Sequence, residues 1–146
     1  MVLDSQCLQH LEIIESAAGT KEGSLFNYLD HCKTPFGKRQ LQRWLMAPLM
    51  NISQITQRQL AVDDLIQFQY DTDSIRAKLG KLPDVEKLLV KIFSYSIKHR
   101  VKAIYFEDVS LIKMKEFRSL LKTFKCVEDI IGNLAAKTNK MKSERL

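Results

Sequence analysis

Apolar residues recur along this chain at offsets of three and four, the spacing that lines one face of a helix. Leu41, Trp44, Leu45 and Pro48 form one such stripe. Ile55, Val62, Leu65 and Ile66 form a second, expected to run to about Phe68. Ile75, Leu79 and Leu82 line a short helix, and Val85, Leu88, Leu89 and Ile92 another. From about Glu107 the stripe is longest, through Val109, Ile112, Phe117, Leu120, Leu121, Phe124, Val127, Ile131 and Leu134. A mean helix holds only ~12 residues, so this one reads as a strut or bundle member. Leu3, Leu8, Leu11, Ile13 and Ile14 mix helical and extended spacing, and residues 1–16 leave both open. Ser24 to Leu29 predicts a short helix with Leu25, Phe26 and Leu29 inward. The fold class is all-α, with at most one short N-terminal extended segment.

Polar punctuation sets the boundaries. Thr34 is placed to cap a helix and Pro35 to open it, because a first-turn amide has no intrahelical partner to lose. Pro48 closes that helix. Asn51, with Gln54 three residues later, predicts a second cap. Asp71 to Asp73 predicts a break, with Thr72 or Asp73 as the next cap. Gly80 or Pro83 ends the following helix, and the basic, aperiodic stretch from Tyr95 to Tyr105 predicts a loop.

With 146 residues, 45% of them apolar and 27% charged, the chain suits one globular domain with a real core. Five glycines and three prolines argue against an all-β fold. No apolar run approaches the ~20 residues that cross a bilayer, and no signal peptide is expected. The net charge of +6 permits a nucleic-acid partner without demanding one. In sequence, the basic residues cluster at Lys38, Arg39 and Arg43, at Lys98 to Lys102, and at Lys137 to Arg145. Cys7, Cys32 and Cys126 form no C-x-x-C pair and read as reduced thiols.

Candidate chemistry is sparse. Cys7 and His10 with His31 and Cys32 could be drawn as four zinc ligands, but the adjacent second pair points in different directions and suits a tetrahedron poorly. No G-x-S-x-G or phosphate-binding loop is present, and His99 has no orienting partner nearby in sequence. Trp44 among leucines reads as core. Arg39 is expected to bond helix-end carbonyls or to pair with Asp30. Glu107 and Asp108 are suited to the positive end of the long helix. Residue pattern alone therefore supports a helical scaffold without its own catalytic constellation, with catalytic, cofactor-binding and metal residues all absent.

Asp30, Thr34, Pro35, Gly37, Arg39, Leu41, Trp44, Leu45 and Pro48 together resemble the opening motif of the core, or lever, domain of the MutS family of DNA mismatch-repair proteins. Further blocks follow in the family's order. Leu3-Asp4 with Leu11-Glu12-Ile13 resembles the domain entry. Asn51, Ile55, Arg58, Ala61, Val62 and Leu65 resemble the next helix. Leu82-Pro83-Asp84-Val85-Glu86 resembles the family's leucine-proline-aspartate-x-glutamate helix. Ala103 to Glu107 is similar to a segment of the family's sixth eukaryotic branch.

The resemblance implies a multi-helical core domain over residues 1–146, as a piece of a larger protein, with the mismatch-binding, clamp and ATPase domains outside it. It implies coupling of mismatched-DNA binding to the ATPase domain, and neither ATP hydrolysis nor mismatch selection by this segment. No cofactor is expected here, although the parent family uses ATP with Mg. Implied partners are mismatched duplex DNA and a MutS paralogue in a heterodimer, with no membrane, in the nucleus of a eukaryote. Lys98, Arg100 and Lys102 are the candidate DNA-facing residues. The family completes its core with helices that return after the clamp, so without them part of the long helix's apolar stripe should stand uncovered. A reading from another class is a stand-alone basic helical module that binds nucleic acid directly, or a protein-interaction scaffold.

Overall fold

The computed structural model describes residues 3–98 and 107–136. Seven helices and no strand occur among these residues: α1 (Ser5–His10), α2 (Leu25–Leu29), α3 (Pro35–Met46), α4 (Ile52–Gln67), α5 (Gln69–Leu79), α6 (Val85–Lys98) and α7 (Glu107–Ala135). The all-α expectation holds, and residues 5–10 are helical rather than extended.

Local capping chemistry starts the first four helices. The Asp4 carboxylate accepts from the Cys7 amide at 2.7 Å. The Ser24 hydroxyl accepts from Asn27, and the Thr34 hydroxyl from Gly37 at 3.1 Å. The Asn51 side chain accepts from the Gln54 amide at 3.2 Å. Each bond satisfies a first-turn donor that the helix leaves orphaned.

Three sequence expectations are corrected. The break between the fourth and fifth helices falls at Phe68, not at Asp71 to Asp73. Thr72 does not cap there; its hydroxyl reaches back to the Leu65 carbonyl at 2.8 Å, satisfying an acceptor in the last turn of α4. Tyr95 lies inside α6, which runs on to Lys98, because its hydroxyl donates to Glu116 Oε2 of α7 at 2.8 Å. The remainder of the expected loop, residues 99–106, lies outside the described residues. In α2 only Phe26 is buried, while Leu25 and Leu29 are exposed.

Core burial is divided between two places along the chain. Ile13 and Phe26 are buried in the N-terminal part, where the Leu25 and Phe26 amides donate to the Glu12 and Ile13 carbonyls. Leu120 and Ile130 are buried on α7, which packs against α6 and α5. Asp64 of α4 and Thr123 of α7 are also buried, the latter bonding back to the Ser119 carbonyl.

The expected stripe of α7 is therefore split. Leu120 and Ile130 face inward, with Val127 and Leu134 half-buried. Phe117, Leu121, Phe124 and Ile131 stand at least 45% exposed. Part of the stripe is thus uncovered. Lys91 of α6 pairs with Glu116 of α7, which fixes the two helices side by side.

Candidate functional site

The chemistry-bearing residues converge where α3 meets the helices that follow it. α3 begins at the Thr34 cap and buries none of its side chains fully. A Cβ added at Gly37 would stand 2.7 Å from Thr34 Oγ1, so glycine here lets the cap close. Pro35 takes the first helical position. Ala47 ends the helix by donating to the Arg43 carbonyl, one residue before Pro48. Leu41, Leu45 and Pro48 are half-buried.

Arg39 is the centre of the arrangement. Its two terminal nitrogens donate to the two oxygens of Asp84 at 2.9 and 2.7 Å, a fork-to-fork pairing. Its Nε donates to Glu86 Oε2 at 2.7 Å. Asp84 does a second job: it stands at the start of α6, where its side chain accepts from Lys87 and its carbonyl from Leu88. Leu82 and Pro83 lead into that turn and are half-buried. The opening motif and the leucine-proline-aspartate-x-glutamate motif are thus the two sides of one ionic junction.

The expected partner for Arg39 is corrected. Asp30 pairs with Lys38, the neighbour of Arg39, and also accepts from the Cys32 amide. A helix repeats every ~3.6 residues, so adjacent side chains leave in different directions. Lys38 also lies 5.6 Å from the Phe26 ring centroid, which joins α3 to α2.

The carboxylates respond in the expected direction. Asp84 is held below its ordinary value of 3.8, chiefly by the bonds from Arg39. Asp30 is lowered chiefly by Lys38, and Glu116 by Lys91 and then Tyr95. Arg39 is in turn held more firmly charged, by Asp84 first and Glu86 second.

Two further arginines join the same N-terminal part to later helices, and sequence reasoning gave neither this role. Arg58 of α4 places its guanidinium 4.1 Å from the Trp44 ring centroid, a cation–π contact. Trp44 is consequently not core: it is 45% exposed, with Arg58 on its ring. Arg76 of α5 donates to the His31 carbonyl at 3.3 Å. These ties span long sequence separations, and no local pattern marks them.

Other candidates are not assembled. Among the described residues no three of His, Cys, Asp and Glu group as a metal site, so Cys7, His10, His31 and Cys32 are not brought together. Lys98 ends α6, and Arg100 and Lys102 lie outside the described residues.

Comparison with known proteins gives the arrangement a family. The family model described as MutS domain III matches residues 6–146. The chain is 38% identical to the DNA mismatch repair protein Msh6 of Gallus gallus, over all of this chain and 12% of that protein. It is 32% identical to MSH6 of Saccharomyces cerevisiae, over 99% of this chain and 10% of that protein. To the bacterial MutS of Roseiflexus castenholzii it is 36% identical, over 66% of this chain and 9% of that protein. The chain thus spans about a tenth of the length of these relatives, and its match is to domain III rather than to an ATPase domain. This chain belongs to the MutS family of DNA mismatch-repair proteins, through its domain III.

Proposed function

We propose that this segment is the helical core through which a mismatch-repair protein couples binding of mismatched DNA to its ATPase domain. The observation that carries the reading is the Arg39 junction. It fastens α3 to the first turn of α6, and α6 is fastened in turn to α7. α7 has 29 residues, a rod of about 43 Å at the ~1.5 Å rise per residue of a helix. Elements that carry a displacement between distant sites must move as units. A charged junction at the root of a long hairpin supplies such a unit.

In this reading the parent binds mismatched duplex DNA and pairs with a MutS paralogue in the nucleus. ATP with Mg acts at a domain outside this segment, which itself neither hydrolyses ATP nor selects the mismatch. The test is Arg39→Gln in the whole parent protein. Binding of a mismatched duplex is expected to persist, while the response of ATP turnover to that duplex falls. Turnover that still responds in full would overturn the coupling role.

A further inference from the structure

The outer side of α7 carries a feature that the junction does not use. Lys115, Arg118, Lys122 and Lys125 are all exposed. Their offsets of zero, three, seven and ten place them in one row, since a helix turns once in ~3.6 residues. The row extends along about 15 Å of helix. No ion pair engages any of the four among the described residues. The nearby Glu116 is occupied by Lys91 and Tyr95, and Asp129 closes the row at its C-terminal end. Consecutive numbering hides this cluster, because its members are separated by acidic, apolar and small residues.

Duplex DNA carries one negative charge per ~1.7 Å of its axis, so a row of this length faces several phosphates at once. Side chains three and four residues apart on one helix face can each take one oxygen without any base being read. We propose that this row is a sequence-independent contact for the phosphate backbone of duplex DNA. The proposal rests on the chain's place in a mismatch-repair protein, which favours DNA over other polyanions. The exposed Phe117, Leu121 and Phe124 would otherwise make an anionic lipid surface the competing ligand.

The experiment is fluorescence anisotropy of a labelled 30-base-pair duplex, matched and mismatched, titrated with this chain between 50 and 200 mM NaCl. Each phosphate contact contributes about 0.9 to the log–log salt slope. Four contacts predict a slope near −3.6, or roughly a 10²-fold loss of affinity across that range. The two duplexes are expected to bind equally. Each single exchange to Gln at Lys115, Arg118, Lys122 or Lys125 should lower the slope by about 0.9, and the fourfold variant should lose most binding. Gln is close to Lys and Arg in helix propensity, so the helix persists, as far-UV circular dichroism would verify.

A variant with Gln at Lys21, Lys33, Lys78 and Lys81 removes the same charge elsewhere, and its slope should stay near that of the original chain. Equal weakening in this variant would mean that net charge alone acts, and would overturn the proposal. Unchanged binding by the fourfold α7 variant, a mismatch preference, or tighter binding to phosphatidylserine vesicles than to duplex would overturn it too. None of these results bears on whether Arg39→Gln uncouples the parent, so the two readings can fail separately.

Discussion

Phe26→Ala is expected to cost about 3–5 kcal/mol, the range for emptying a buried phenylalanine site. Phe26 is only 4% exposed, and among the described residues Ile13 is the other buried apolar residue of the N-terminal part. With so little else to close around the gap, the surroundings cannot collapse to offset it. Domains of this kind have only ~5–15 kcal/mol in total. The loss should therefore loosen α1 and α2 from α3, while the Arg39 junction still holds α3 to α6. Urea unfolding followed by circular dichroism is the check, with Leu25→Ala as the comparison. Leu25 precedes Phe26 in the same helix but is exposed, and its replacement should cost well under half as much. Equal losses would mean that burial at Phe26 is not what holds these helices.

The second large effect is acid unfolding. Asp84, Asp30 and Glu116 all have folded-state values below their ordinary 3.8, 3.8 and 4.5. A carboxylate with a depressed value stabilises the fold at pH above its unfolded value. That contribution is lost as pH falls through the folded value, because the unfolded chain takes up the proton first. Stability should be flat near neutrality and fall steeply once pH drops below about 4. Arg39→Gln removes the principal cause of the Asp84 shift. The variant should be less stable at pH 7, and its deficit should shrink as pH falls below 3.8. Denaturant titrations of both proteins at pH 7, 5, 4 and 3 would show this. A deficit independent of pH would mean that Arg39 acts through packing rather than charge.

The sequence made the helices legible wherever their ends are set locally. Thr34, Pro35 and Gly37 lie within one turn of each other, so the start of α3 could be read from neighbouring residues alone. The same holds for Ser24 and Asn51. The structure departs from the local signal where a side chain is used by another element. Asp71-Thr72-Asp73 looks like a cap cluster, yet the Thr72 hydroxyl serves the end of the preceding helix. Tyr95 looks like the start of a loop, yet its hydroxyl is held by Glu116, 21 residues later.

The candidate site was legible as residues but not as pairs. The family resemblance singled out Arg39, Asp84 and Glu86, while nothing in their spacing said that they meet. Arg39 and Asp84 are 45 residues apart, and Asp30 was the nearer carboxylate in the chain. Trp44 departs from its pattern for a related reason. Its stripe predicts burial, but the ring contact comes from Arg58, a side chain that covers a ring without enclosing it.

The central claim is that the two motifs are joined through Arg39 and Asp84. A double-mutant cycle tests it most directly, using urea unfolding of this chain, Arg39→Gln, Asp84→Asn and the double variant. Asn caps a helix about as well as Asp, so the start of α6 survives the exchange. Joined residues predict that the second substitution costs much less once the first has been made. Strictly additive losses would contradict the junction and the account built on it.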